Sequence, residues 1–230
     1  MVEQATVRRL GFWAAALTAA VTAIAFALAV TTLPVSGPFC TANCVGYPFS
    51  EVANLVPHDY IWMYPATLLM GIFVVLLACI HQATAENRRV YSLIAVVFGA
   101  MAASLLATDY YVQIAALQPS ILKGEFEGVA LITQYNPHGI VIALEELGYL
   151  LMSLAFLFAG LAFAHAARLE RALRWLLVGG ALLVLAVYVA LRLLYGQNLE
   201  YRFEVAVITI NWTLLIAAGI LLSIWFRRRP

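Results

Sequence analysis

Six times along the chain, apolar residues run almost unbroken for at least about 18 positions, near 10–33, 60–81, 90–110, 140–165, 172–194 and 205–226. A helix of about 20 residues rising 1.5 Å per residue crosses a hydrocarbon core about 30 Å thick, so each run is long enough to span. The runs do not alternate polar with apolar, and an isolated strand in lipid leaves its backbone polar groups without partners. The pattern therefore predicts an all-α, polytopic integral membrane protein. It is a six-transmembrane-helix bundle, with residues 1–230 forming one membrane domain.

Composition agrees with this reading. Of 230 residues 64% are apolar and 11% charged, and the mean hydropathy is +0.93. That leaves too little polar surface to cover a soluble domain. A formal charge of +1 carries no basic patch for nucleic acid and no acidic tail.

The near-neutral sum conceals a sidedness. Ten arginines (Arg8, Arg9, Arg88, Arg89, Arg168, Arg171, Arg174, Arg227, Arg228 and Arg229) fall on one side of the spans, and Lys123, Arg192 and Arg202 on the other. By the positive-inside rule the arginine-rich side is cytoplasmic. The expected location is the plasma membrane, multi-pass, with both termini cytoplasmic. Acids run the other way: Glu3, Glu86 and Glu170 lie inside and the remaining nine outside, so ten bases against three acids give +7 facing three against nine, or −6. Arg8 and Arg9 before an Ala-rich run also fit an export signal, but the run is about twice a signal core in length and shows no small-residue cleavage site before Pro34.

Inner connections are short, whereas the outer segments 34–59 and 111–139 are long loops of the kind that carry function. Residues 112–117 are expected to prolong the third helix until Pro119 stops it, and 126–132 to lie along the interface. In the first outer loop Cys40 and Cys44 meet an oxidising compartment, and their spacing allows closure to a disulfide. A metal site joining them to His58 lacks an obvious fourth ligand, so no metal is expected. Cys79 reads as a small buried apolar residue.

The most informative stretch is 134–149. Asn136, Pro137, His138 and Gly139 read as a turn into the fourth span, and Glu145 and Glu146 follow at a depth of roughly 10 Å. A carboxylate in hydrocarbon costs several kcal/mol unless protonated, paired or facing a wet cavity, so it marks a functional site by default. About 100° apart, the two side chains face different neighbours: Glu145 shares a face with His138, Val141 and Met152, and Glu146 with Tyr149, Ser153 and Gly160. Candidate partners at the same depth are Asp109, Tyr110, Tyr111, Arg192, Glu204 and Asn211, with Arg192 the natural counter-ion.

Tyr60, Trp62, Tyr64, Tyr110, Tyr111, Tyr195 and Tyr201 are read as an aromatic belt at the outer interface in preference to a ligand cage. His58 and Asp59 read as a helix cap and an interfacial residue. The sequon Asn211-Trp212-Thr213 lies inside a span, out of reach of glycosylation. His58 and His81 flank the second span and His138 and His165 the fourth, as in a two-haem cytochrome b. Spacings of 23 and 27 residues put each pair roughly 35–40 Å apart along a helix, too far for haem within the core. No cofactor is expected.

These observations lead to a small lipophilic ligand, carrying a cationic or hydroxyl group, held in an outward-opening pocket between spans three to six. Glu145 and Glu146 are the candidate catalytic acids, and Asp109, Tyr110, Asn136, His138, Tyr149, Arg192 and Asn211 complete the pocket. Whether the protein is an enzyme is left open; acid/base work by a glutamate is the chemistry such a site supports. An alternative is a non-catalytic accessory subunit whose paired charges set helix register and hold a membrane-protein partner or a second copy, helped by small residues that let helices approach. A proton-coupled transporter is the third reading, weakened by the lack of polar stations in the inner halves and of an internal repeat.

Overall fold

Six helices are long and apolar enough to cross a membrane, as expected of a multi-pass membrane protein. They are seen in a computed structural model that describes residues 2–32, 34–164 and 167–229. Among the described residues there is no strand. The long helices are α1 (Val2–Ala29), α2 (Met63–Ala83), α3 (Arg89–Val112), α6 (Ile140–Ala162), α7 (Arg168–Tyr195) and α8 (Arg202–Arg228). Two short ones, α4 (Gln118–Leu122) and α5 (Val129–Ile132), lie in the longer loop. Leu33 and His165, expected at span ends, lie outside the described residues.

The helices form a closed ring: each packs on its chain neighbours, α8 returns onto α1, and α6 also touches α8 across the ring. Small residues make the closure possible. A Cβ on Gly219 of α8 would lie 2.8 Å from the Ala15 backbone oxygen of α1, and one on Gly160 of α6 would lie 3.1 Å from the Arg174 oxygen of α7. Large apolar side chains such as Trp13, Leu68, Val97, Leu182 and Ile220 point outward, the inversion of a soluble surface that a lipid solvent permits. Arg8 Nη1 donates to the Arg229 oxygen at 3.0 Å, so both described ends of the chain meet at one end of the bundle. The long loops gather at the other end.

One expectation about a helix end is corrected. Pro119 does not stop the third helix. The chain passes through a single π-helical turn at Gln113–Leu117 and continues as α4 to Leu122. The wider turn shifts the backbone bonding just before Pro119, so the missing N–H of proline falls at the start of a new helical segment, where it is tolerated. In segment 126–132 only Val129–Ile132 is helical; Val129 is buried, and Phe126 and Leu131 are exposed.

The belt reading is also corrected in part. Tyr64, Tyr111 and Tyr195 are exposed, whereas Tyr60 and Tyr110 are fully buried and Trp62 nearly so. Tyr60 packs on Tyr135 of the longer loop, and Trp62 on Tyr110 and Trp212. Cys40 and Cys44 form a disulfide with Cα atoms 5.8 Å apart, and Cys79 is a free, buried thiol.

Candidate functional site

At the loop-bearing end a cavity of about 290 Å³ lies between α1, α6 and α8, roofed by the loops. Phe26 of α1, Trp62 before α2 and Trp212 of α8 supply its aromatic walls. These rings support one another, with Trp212 5.7 Å from Phe26 and 5.9 Å from Trp62 between centroids. Two helices place a carboxyl group on the cavity: Glu145, in the second turn of α6, and Glu204, in the first turn of α8.

The roof is a hydrogen-bonded strap. Tyr201 donates to the Gln134 carbonyl at 3.0 Å and its hydroxyl lies 3.0 Å from that of Ser36. Tyr135 donates to Asp59 Oδ2 at 3.2 Å, and Asp59 Oδ1 lies 2.9 Å from His58 Nδ1. Gln113, presented by the π-turn, donates to the Ile132 carbonyl and accepts from the Gln134 N–H at 3.2 Å. Segments far apart in the chain are thereby held over one opening. Burial pushes the Tyr135 and Tyr201 hydroxyls well above the usual phenol range, so both stay neutral donors.

Two acids on the cavity wall carry oxygens without partners. Glu145 is 6% exposed and Glu204 3%; Glu145 Oε1 and both Glu204 carboxyl oxygens are buried without a hydrogen-bond partner. Asp59 adds a third acid to the lining, and no Lys or Arg lines it. A buried polar oxygen left unbonded costs about 1–3 kcal/mol, and more if charged. A wall that combines acids with aromatic faces is complementary to a cation with apolar substituents.

Among the described residues, Glu145 is the one residue of the expected pocket that lines this cavity. Its neighbour does not line the cavity but is paired: Arg192 Nη2 donates to Glu146 Oε2 at 2.8 Å, Arg192 Nε donates to the Tyr188 hydroxyl at 3.3 Å, and the Glu146 carboxyl also lies beside that of Glu204. Asn211 and Tyr149 belong to a buried network beneath the cavity. Asn211 Nδ2 donates to the Tyr149 carbonyl at 3.2 Å and pairs with Ser153, while Trp212 Nε1 donates to the Tyr149 hydroxyl at 2.8 Å. That hydroxyl lies 2.7 Å from the Tyr110 hydroxyl. Asp109 is buried in the ring with both carboxyl oxygens unpartnered.

Asn136 and His138 shape the entry to α6. Asn136 Oδ1 accepts the His138 N–H at 3.0 Å, the Gly139 N–H bonds the Asn136 carbonyl at 2.9 Å, and His138 is exposed. A Cβ on Gly139 would crowd the Asn136 and Leu131 carbonyls at 3.0 and 3.1 Å, which explains glycine there. Of the other histidines, His81 Nδ1 lies 2.9 Å from Ser92 Oγ. Among the described residues no group of three or more His, Cys, Asp or Glu is placed to hold a metal ion.

Sequence alone does not single out as lining Glu204, a candidate partner there, or the aromatic and loop residues Phe26, Trp62, Tyr135, Tyr201 and Trp212. Glu204 carried the same signal as Glu145, an acid at the edge of an apolar run. The chain matches no protein-family model, and neither a curated protein nor a solved structure matches it.

Proposed function

We propose that this is a plasma-membrane protein whose loop-bearing end faces outward, with both termini in the cytoplasm, and that it binds a small lipophilic molecule in the Glu145–Glu204 cavity. The orientation is supported by the ten-to-three distribution of basic residues, and by a disulfide at the end assigned to the oxidising side. The ligand carries a cationic or hydroxyl group. The observation that carries the reading is two buried carboxyl groups lining the cavity, three of whose four oxygens have no hydrogen-bond partner. A ligand cation or hydroxyl supplies the missing bond, and Phe26, Trp62 and Trp212 hold its apolar body. If bonds are made or broken, Glu145 is the group placed to move a proton on the bound molecule, so the same cavity serves a binding protein or an acid/base enzyme.

Three probes of one shape and different charge test this: 4-phenylbutylamine, 4-phenylbutanol and 4-phenylbutanoate, titrated into purified protein in a neutral detergent. Affinity is expected to fall in that order. Glu145→Gln and Glu204→Gln are each expected to weaken the amine about tenfold, or 1.4 kcal/mol, and to leave the alcohol nearly unchanged. Equal binding of all three probes, or an amine affinity untouched by both substitutions, overturns the proposal.

A further inference from the structure

At the opposite end of the bundle, two arginines converge on one helix terminus. Arg88, in the turn before α3, donates Nη1 to the carbonyls of Leu161 and Phe163 at 3.0 and 3.3 Å. Arg174, in the second turn of α7, donates Nη1 to the same two oxygens, at 3.2 Å each. These carbonyls close α6, where the last C=O groups lack partners within the helix. Sharing both acceptors holds the two guanidinium groups side by side. Among the described residues no carboxylate lies within 4.0 Å of either.

A helix C-terminus offers about half a negative charge, so two guanidinium groups leave an excess well above one positive charge. That excess borders a cavity of about 370 Å³ lined by Asn87, Arg88, Tyr91, Leu161 and Arg174. Its side-chain polar groups are hydrogen-bond donors or a hydroxyl and an amide, and none is an acid. The bonds to the carbonyls leave from Nη1. The Nε and Nη2 edge of a guanidinium is planar and suited to two parallel bonds with a phosphate or carboxylate.

We propose that Arg88 and Arg174, with Asn87 and Tyr91, form a site for a phosphate group. The site lies at the end of three apolar helices, the level at which a phospholipid headgroup meets a protein, and basic pockets between such helices bind anionic headgroups. A free phosphate ion presents the same oxygens. The proposal is independent of the Glu145–Glu204 cavity and its ligand.

Native mass spectrometry of the full chain in a neutral detergent tests it, with dioleoylphosphatidylglycerol, dioleoylphosphatidylcholine and inorganic phosphate as probes. The expected result is one phosphatidylglycerol per chain, retained at least tenfold better than phosphatidylcholine, with retention lost about tenfold or more in Arg88→Gln and Arg174→Gln. Millimolar phosphate that binds saturably and displaces the lipid assigns the site to the free ion; lipid retained against phosphate assigns it to a headgroup. Retention of neither probe, or retention unchanged in both variants, overturns the proposal. Because both arginines also hold α6, two further measurements avoid dependence on the folding of those variants. Arg88→Lys with Arg174→Lys keeps the charge and loses the fork, and is expected to weaken binding several-fold. In the unaltered protein, affinity is expected to fall at least tenfold between 50 and 500 mM salt, and a salt-independent affinity also overturns the site.

Discussion

The two ends of the bundle bury charge in opposite ways. At the loop-bearing end, Glu145 and Glu204 are more than nine-tenths buried and three of their four carboxyl oxygens have no hydrogen-bond partner. At the arginine-rich end, Arg88 and Arg174 are only part-buried, and both are engaged with the same two backbone oxygens. The acids are arranged at a cost to the fold, while the arginines hold a helix terminus that needs them. A protein keeps a group in a locally unfavourable setting where something other than stability selects it. By that argument the acidic end is where function should be sought first.

The largest expected effect comes from removing the support at the arginine end. Arg88→Met with Arg174→Met leaves the Leu161 and Phe163 carbonyls without side-chain donors. Hydrogen bonds to charged groups are worth about 1.5–3 kcal/mol, so the double variant is expected to lose about 3 kcal/mol in reversible unfolding in mixed micelles. Each single variant should lose only about 1 kcal/mol, because the remaining arginine still reaches both oxygens, and neighbours that share a partner are not additive. Single losses that sum to the double loss would show that the arginines act separately.

At the acidic end the sign reverses. Glu204→Met replaces two unpartnered oxygens with an apolar chain of similar length, so the same unfolding measurement is expected to show a gain of about 1–2 kcal/mol. Binding of 4-phenylbutylamine should be lost in the same variant. A stability gain accompanied by lost binding is the signature of a functional acid. A stability loss would place Glu204 among the structural charges and remove the contrast between the two ends.

How much of this was legible in the sequence depends on which contact is asked for. Unbroken apolar runs located all six long helices, because lipid imposes one requirement on every residue of a span. They do not mark helix ends where the helix outlasts the apolar run: α1 begins at Val2, well before the run, and the third helix continues through its π-turn and α4 to Leu122. Hydropathy reports where the apolar solvent ends and not where the backbone stops bonding to itself. Glu145 stood out as an acid with no apolar explanation. The cavity around it did not, since its other walls come from α1, α8 and the loops, and nothing along the chain announces that α8 packs on α1. Tyr135 and Tyr201 were equally hidden, one in a loop and the other beside a helix start, until the fold tied them to Asp59 and Gln134.

The finest test of the comparison uses adjacent residues. Glu145 and Glu146 have the same chemistry and nearly the same depth, yet the 100° step of the helix turns one toward the cavity and the other toward Arg192. If pairing is what separates structural from functional charge here, Glu146 and Arg192 should be coupled to each other and matter less to ligand than Glu145 does. The Arg192 side chain is 38% exposed and that of Glu146 16%, so solvent screens the pair and the coupling should be modest. A double-mutant cycle of Glu146→Gln and Arg192→Met is expected to give about 0.5–1 kcal/mol of coupling in stability, with amine affinity reduced less in Glu146→Gln than in Glu145→Gln. Coupling near zero would make the pair incidental to the fold. Loss of amine binding in Glu146→Gln would extend the ligand site across the helix, and the division between the neighbouring acids would fail.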